Sequence, residues 1–174
     1  MCDLGEILVS HERIREMVDE IAARINRDYA GEEILLVGVL KGAMIFLADL
    51  CRKLEVPLII DFIIVSSYGQ EASTSGVVLL RKDIDADIEG RHVIIVEDII
   101  DTGVTLTYLK NVFEARGPAS LKICTAFDKP SRRTVELVPD YCGIPIPDKF
   151  VVGYGLDYAG MFRHLPDLRV VKNI

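Results

Sequence analysis

The stretch Val93-Ile94-Ile95-Val96-Glu97-Asp98-Ile99-Ile100-Asp101-Thr102-Gly103-Val104-Thr105 decides how this chain is read. Four consecutive apolar residues, Val93 to Val96, read as a strand buried on both faces. Two adjacent acids, two isoleucines and a third acid follow. Thr-Gly-Val-Thr then opens a helix with Leu106, Leu109, Val112 and Phe113 on one face, ending at Gly117-Pro118. Such a junction lies at the carboxyl end of a parallel strand, where open α/β sheets hold their ligands. Backbone N–H groups at a helix N-terminus attract an anion. Gly103 permits close approach, and Thr102 and Thr105 add hydroxyl donors, so the expected guest is one phosphate group. Glu97, Asp98 and Asp101 crowd the same place. Capping the positive end of the helix accounts for one acid but not three. Three acids beside an anion site suit sugar hydroxyls, a metal ion or a base.

Working outward, Ile34–Leu40 reads as a second buried strand, Lys41-Gly42 as a turn, Ala43–Leu54 as a helix and Leu58–Val65 as a third strand. Strand, helix, strand is a parallel βαβ unit. Near the N-terminus, Ile14, Met17, Val18, Ile21, Ala22 and Ile25 fall on one face of a 3.6-residue period, with Ser10 as N-cap and Gly31 as stop. Ser66–Gly76 is a polar eleven-residue loop with one aromatic, Tyr68, and reads as a lid or a surface hairpin loop. Val77–Leu80 is a short strand and Lys82–Gly90 a charged turn. Leu121–Phe127 is a strand, and Phe150–Val152 a short one within an irregular region that holds five of the seven prolines. There is no repeat, low-complexity tract or linker. The pattern predicts an α/β fold with a mostly parallel central sheet flanked by helices.

The chain has 174 residues, the length of a single domain over residues 1–174. Lys plus Arg is 20 and Asp plus Glu 27, a net charge of −7, which argues against a nucleic-acid binder. An acidic site facing an anion calls for a cation. The four cysteines, Cys2, Cys51, Cys124 and Cys142, lack metal-ligand or redox spacing, and Cys51 and Cys124 sit in apolar runs as core residues. That usage suits a reducing cytoplasm. The N-terminus has no signal-peptide pattern, and no apolar run approaches the roughly 18 residues of a membrane span.

Val96 to Thr105 resembles the phosphoribosyl pyrophosphate motif of the type I phosphoribosyltransferases. Its double-Ile form is similar to that of the 6-oxopurine branch, the hypoxanthine-guanine phosphoribosyltransferases of bacterial type. The resemblance extends over essentially the whole chain and implies the fold of that family, with a small N- and C-terminal hood, about 145–165, over the base. It implies transfer of a 5-phosphoribosyl group from phosphoribosyl pyrophosphate to hypoxanthine or guanine, with Mg2+ as cofactor and pyrophosphate and a nucleoside monophosphate as products. Glu97 and Asp98 would hold the ribose hydroxyls, directly or through metal. Thr102, Gly103, Val104 and Thr105 would hold the 5-phosphate, and Asp101 would be the base. Leu40-Lys41-Gly42 resembles the pyrophosphate loop, whose Leu-Lys peptide is often cis, and Arg163 the arginine that assists it. Ser66-Ser67-Tyr68-Gly69 resembles the start of the flexible loop.

Lys129, in Asp128-Lys129-Pro130, resembles the lysine that contacts the 6-oxo group. Pro147 to Asp157 resembles the purine-binding segment, with Phe150 stacking on the base, the Val151 backbone at its edge and Asp157 on a second magnesium. Gly160-Met161-Phe162 is less polar than the family pattern just before Arg163, and His11, His92 and His164 match no motif position. The resemblance implies a homodimer or homotetramer. The competing readings are an enzyme for xanthine, adenine or a pyrimidine, and an RNA-binding regulator on the same fold. The regulator would want a basic face, which the charge of −7 argues against.

Overall fold

The computed structural model describes residues 3–67 and 78–172. In chain order the elements are β1 (Asp3–Val9), α1 (His11–Asp28), β2 (Ile34–Leu40), α2 (Met44–Cys51), β3 (Leu58–Ser67), β4 (Val78–Lys82), β5 (His92–Ile100), α3 (Val104–Glu114), β6 (Ser120–Asp128), a short 3-10 turn at Pro130–Arg132, β7 (Tyr141–Pro145), β8 (Val151–Val152) and β9 (Leu168–Lys172).

The apolar runs of β2, β5 and β6 are buried because both faces of their sheet are covered. Alternate side chains separate cleanly. Leu36, Ile94, Val96, Cys124 and Ala126 pack with α1 and α2, while Leu35, Val37, Val93, Ile95 and Ile123 pack with α3. The sheet order is β4-β3-β2-β5-β6-β7, parallel except for antiparallel β4. From β2 the chain moves outward to β3, then returns to place β5 on the other side of β2. The loops after β2 and β5 therefore diverge, and a crevice opens between them at the carboxyl ends of the strands. A second, small sheet, β1-β9-β8, brings residues 3–9 and 168–172 together, and only its β8 lies within the 145–165 segment expected as the hood.

α1 buries the six residues its period selects, and the Ser10 Oγ accepts from the Arg13 N–H at 3.3 Å. Cys124 is fully buried. Several boundaries differ from expectation. α1 ends at Asp28, and Gly31 follows in a turn at φ 85°. α2 spans Met44–Cys51 and not Ala43–Leu54, since Arg52 and Lys53 turn away toward Pro57. β3 keeps Ser66 and Ser67 because both pair with β4, so they do not belong to the expected loop. β5 runs on through Glu97 and Asp98 to Ile100, because β6 pairs with it as far as Ile100↔Asp128. The strands β1, β7 and β9 carry no clean alternation; β1 and β9 form by pairing with each other across the chain, and β7 by joining the edge of β6. Tyr68 and the segment 68–77 lie outside the described residues. No helix among the described residues is long and apolar enough to cross a membrane.

Candidate active site

The end of β5 and the start of α3 form one wall of the crevice. Gly103 is the N-cap of α3 at φ 85°, a left-handed conformation that glycine adopts without penalty. Its N-cap residue has no side chain to cap it and its first turn holds no acid, so apart from the Val104 N–H its first N–H groups have no side-chain partner among the described residues. Glu97, Asp98, Asp101, Thr102, Gly103 and Thr105 line a cavity of about 150 Å³ here. Val104 begins the helix, and its N–H points to the Thr102 hydroxyl at 3.4 Å.

The turn after β6 grips this loop from behind. The Arg133 Nε donates to the Asp101 carbonyl at 3.0 Å, and its guanidinium also meets the Asp128 carboxylate and the Leu137 carbonyl. The Thr134 N–H donates to the Thr102 carbonyl at 3.0 Å. A Cβ on Gly103 would press on Arg133 and Val135 side chains within 3 Å, so the turn and the loop are in close contact.

Glu97 and Asp98 stand side by side. The Glu97 carboxylate accepts from the Asp98 N–H at 3.1 Å, and the Asp98 carboxylate from the Ile99 N–H at 2.7 Å. Desolvation holds both above the ordinary carboxylate range, most strongly Glu97, to which the neighbouring Asp98 charge adds; the Arg163 charge pulls Asp98 the other way. A pair of desolvated carboxylates is chemically suited to a divalent cation. No cluster of three metal-ligating side chains occurs among the described residues. Two carboxylates without a closed cage fit Mg2+, which keeps several waters and shares its coordination with substrate phosphates.

The opposite wall is the turn after β2. The Leu40–Lys41 peptide is cis, and Lys41 is exposed. Gly42 sits so close to Asp98 that a Cβ would run into its carboxylate. Gly155, at φ 100°, lies just as close to the Gly42 carbonyl oxygen. Three segments, 40–42, 97–98 and 153–163, therefore meet at two glycines. The Arg163 Nη1 donates to the Gly155 carbonyl at 2.6 Å, and its Nη2 pairs with Asp157 at 2.5 Å. Asp157 also accepts from the Gly160 N–H at 2.7 Å, so neither of its oxygens is idle.

Beside the acids lies a cavity of about 450 Å³, lined by Asp101, Lys129, Arg132, Phe150, Val151 and Asp157 among others. Lys129 is 8% exposed, and its ammonium has neither hydrogen bond nor ion pair among the described residues. A buried cation without a partner is costly unless a ligand supplies the acceptor. Phe150 is 45% exposed and edge-on to Tyr158, with ring centroids 5.8 Å apart, so its ring is free to stack. A larger cavity of about 550 Å³ lies at the opposite end of β5 and β6. Its polar groups already satisfy one another, as in His92–Ser120 at 2.8 Å, Tyr141–Asp28 at 3.0 Å and Lys122–Asp140 at 2.8 Å. The crevice is the better candidate, because among the described residues helix-start N–H groups without partners, desolvated acids and an unpaired cation converge only there.

The family model described as Phosphoribosyl transferase domain matches residues 5–159. The chain belongs to this family. It is 46% identical over 170 residues to the hypoxanthine-guanine phosphoribosyltransferase of Streptococcus pneumoniae, covering 98% of this chain and 94% of that protein. It is 47% identical over 163 residues to the hypoxanthine phosphoribosyltransferase of Salmonella typhimurium, covering 92% of each. A crystal structure of a hypoxanthine-guanine phosphoribosyltransferase from Bacillus anthracis superposes with a TM-score of 0.94, at 47% identity over 99% of this chain and 100% of that one.

Within this phosphoribosyltransferase fold, the residues singled out from the sequence gather at one crevice. Gly42, Glu97, Asp98, Asp101–Thr105, Lys129, Phe150, Val151, Asp157 and Arg163 border it or touch a residue that does, while Lys41, the exposed neighbour of Gly42, lines neither cavity. Ser67 ends β3, and Tyr68 lies outside the described residues. Sequence reasoning missed Arg132, Arg133, Thr134 and Tyr158. Adjacent arginines after a proline look like solvated surface, and only the packing of the turn against the loop gives them partners.

Proposed function

We propose that the protein transfers the 5-phosphoribosyl group of phosphoribosyl pyrophosphate to hypoxanthine and guanine, giving IMP or GMP and pyrophosphate, a purine-salvage reaction in the cytoplasm. The observation that carries this reading is the start of α3, whose N-cap Gly103 brings no capping side chain, meeting two desolvated acids beside a cavity with a buried Lys129 that is unpaired among the described residues. One end of the crevice suits a phosphate and the other a flat base with an acceptor at its edge.

The residues divide the work. The N–H groups of Gly103, Val104 and Thr105 and the hydroxyls of Thr102 and Thr105 hold the 5-phosphate. Glu97 and Asp98 hold the ribose hydroxyls. Phe150 stacks on the base, the Val151 backbone meets its edge, and the Lys129 ammonium donates to the 6-oxo group. Adenine has an amino group there, so a donor meets a donor and is rejected. As the bond between sugar and pyrophosphate breaks, the anomeric carbon takes oxocarbenium character. The Lys41–Gly42 backbone and Arg163 stabilise the departing anion, and Asp101 accepts the proton from the imidazole nitrogen of the base. Mg2+, held by Glu97, Asp98 and the Asp157 side, would neutralise charge on the pyrophosphate.

Met44 on α2, and Ile59 and Ile60 on the half of β3 that β4 leaves unpaired, are large, apolar and exposed. They support assembly as a homodimer or homotetramer, which sedimentation equilibrium checks.

The test is turnover with phosphoribosyl pyrophosphate and Mg2+, offering hypoxanthine, guanine, xanthine and adenine separately. Product from hypoxanthine or guanine, lost on chelation of the metal, is expected. Product from adenine alone would refute the role of Lys129. No product from any base, with retarded RNA in a gel shift, would replace the enzyme by the regulator.

A further inference from the structure

Two consecutive arginines hold the same aspartate. Arg133 donates to the Asp101 carbonyl at 3.0 Å, and the Arg132 Nε donates to the Asp101 Oδ1 at 2.7 Å. The Arg132 Nη1 also faces the Asp148 Oδ1 at 3.6 Å, across the 450 Å³ cavity. Arg132 thus spans from the loop before α3 to the segment before β8. Its own backbone is fixed, since its N–H donates to the Lys129 carbonyl at 3.1 Å within the 3-10 turn that Pro130 begins.

Stability does not account for this arrangement. The Arg132 side chain is 46% exposed, Asp101 41% and Asp148 53%. Exposed ion pairs contribute little to folding, because water screens the charges and holding two long side chains together costs entropy. What the contact does achieve is orientation. A planar guanidinium fixes both the position and the plane of a carboxylate, which a lysine ammonium does not. With Oδ1 engaged, Oδ2 has no hydrogen-bond partner among the described residues.

We propose that Arg132 is a positioning residue for the phosphoribosyl transfer: it holds Asp101 by Oδ1 so that Oδ2 is presented to the imidazole edge of the purine. The inference rests on the reading of Asp101 as the base. As the new carbon–nitrogen bond forms, the ring nitrogen's proton passes to Oδ2. Arg132 neither takes a proton nor makes a bond. It removes the side-chain rotations that would carry Oδ2 away from the base, and such misplacement is expensive in proton transfer.

The experiment compares single-turnover rates of nucleotide formation for the wild type, R132M, D101N and the double variant, with KM for phosphoribosyl pyrophosphate measured for each. R132M is expected to be slower by about 10- to 100-fold, with that KM within about twofold of wild type, since general-base catalysis is worth about 100-fold or more. The unchanged KM also reports an intact fold. In the D101N background, R132M is expected to cost less than about threefold, because a positioning group has nothing left to position. A full-rate R132M enzyme overturns the proposal. So does a loss in the double variant equal to the product of the two single losses, which would mean that Arg132 acts independently. A full-rate D101N enzyme overturns the reading of Asp101 instead, and the two failures are thereby distinguished.

Discussion

The phosphate side and the base side of the crevice are built by different means. The phosphate side is nine consecutive residues, Glu97 to Thr105, and its anion site is the end of one strand and the start of one helix. The base side is assembled from afar. Val151 and Val152 pair with Val170 and Arg169 of β9, which in turn pairs with β1 at the other end of the chain. The Tyr154 hydroxyl donates to Asp49 at 2.8 Å, and its N–H to the Leu165 carbonyl at 2.8 Å. Gly153, Tyr154, Gly155, Ala159, Gly160 and Phe162 all have positive φ. A phosphate is bound by geometry that a short segment carries on its own. A flat, variable base is bound by a surface that only tertiary contacts hold in shape.

This contrast can be broken by substitution. The largest effect is expected from Gly155→Ala. Its Cβ would meet a backbone oxygen, that of Gly42, which has no rotamer by which to give way. The cost is about 2–4 kcal/mol in urea unfolding, from positive φ and displacement together. Displacing the base side from the Lys41–Gly42 turn should also lower turnover by about 100-fold. Gly103→Ala, on the phosphate side, meets only side-chain atoms of Val135 and Arg133 and should destabilise by about half as much. Equal losses would erase the distinction between the two sides.

Asp101→Asn comes next, with about 100-fold slower single-turnover chemistry and little change in KM for phosphoribosyl pyrophosphate. Phe150→Ala should raise KM for hypoxanthine by about tenfold, since stacking on an aromatic ring is worth about 1–3 kcal/mol per base. An equal rise in KM for phosphoribosyl pyrophosphate would mean that Phe150 supports the whole crevice and not the base alone.

The smallest effect is expected at a site that belongs to neither side. Arg116 makes two hydrogen bonds to Asp83, at 3.0 and 2.7 Å, and holds its carboxyl below the ordinary range. A carboxyl depressed in the folded state contributes stability above its unfolded pKa and loses it as pH falls through the folded value. Asp83→Asn should therefore cost under about 1 kcal/mol at neutral pH, since the pair is partly exposed, and nothing in strong acid. A constant difference across an acid titration of stability would show that packing and not charge is lost.

Much of the central sheet was legible from residues alone. The runs at Ile34, Val93 and Leu121 are long and apolar because both sides of their strands are covered, and α1 declares its buried face by period. The strands β1 and β9 were not legible. Their residues alternate poorly, with Ile7 half exposed beside buried Val9, and their pairing joins positions 3 and 172. Glu97 and Asp98 read as loop residues because acids disfavour strand interiors, yet β6 draws them into β5. Arg132 and Arg133 carried no sequence signal, because their partners lie some thirty residues earlier at Asp101.

By itself, the sequence determined the α/β alternation and the strand–acid–helix junction at Val96–Thr105, while the residues of the base side were reached only through the family resemblance. The alternation and the junction are local properties: apolar period, turn chemistry and a helix start lie within a few residues of one another. Only the tertiary structure decided that Gly155 rests on Gly42, that Lys129 is buried without a partner among the described residues, and that two arginines hold one aspartate. Those are relations between segments distant in the chain, set by how the sheet is ordered and how the hood closes on it, and no local pattern encodes them.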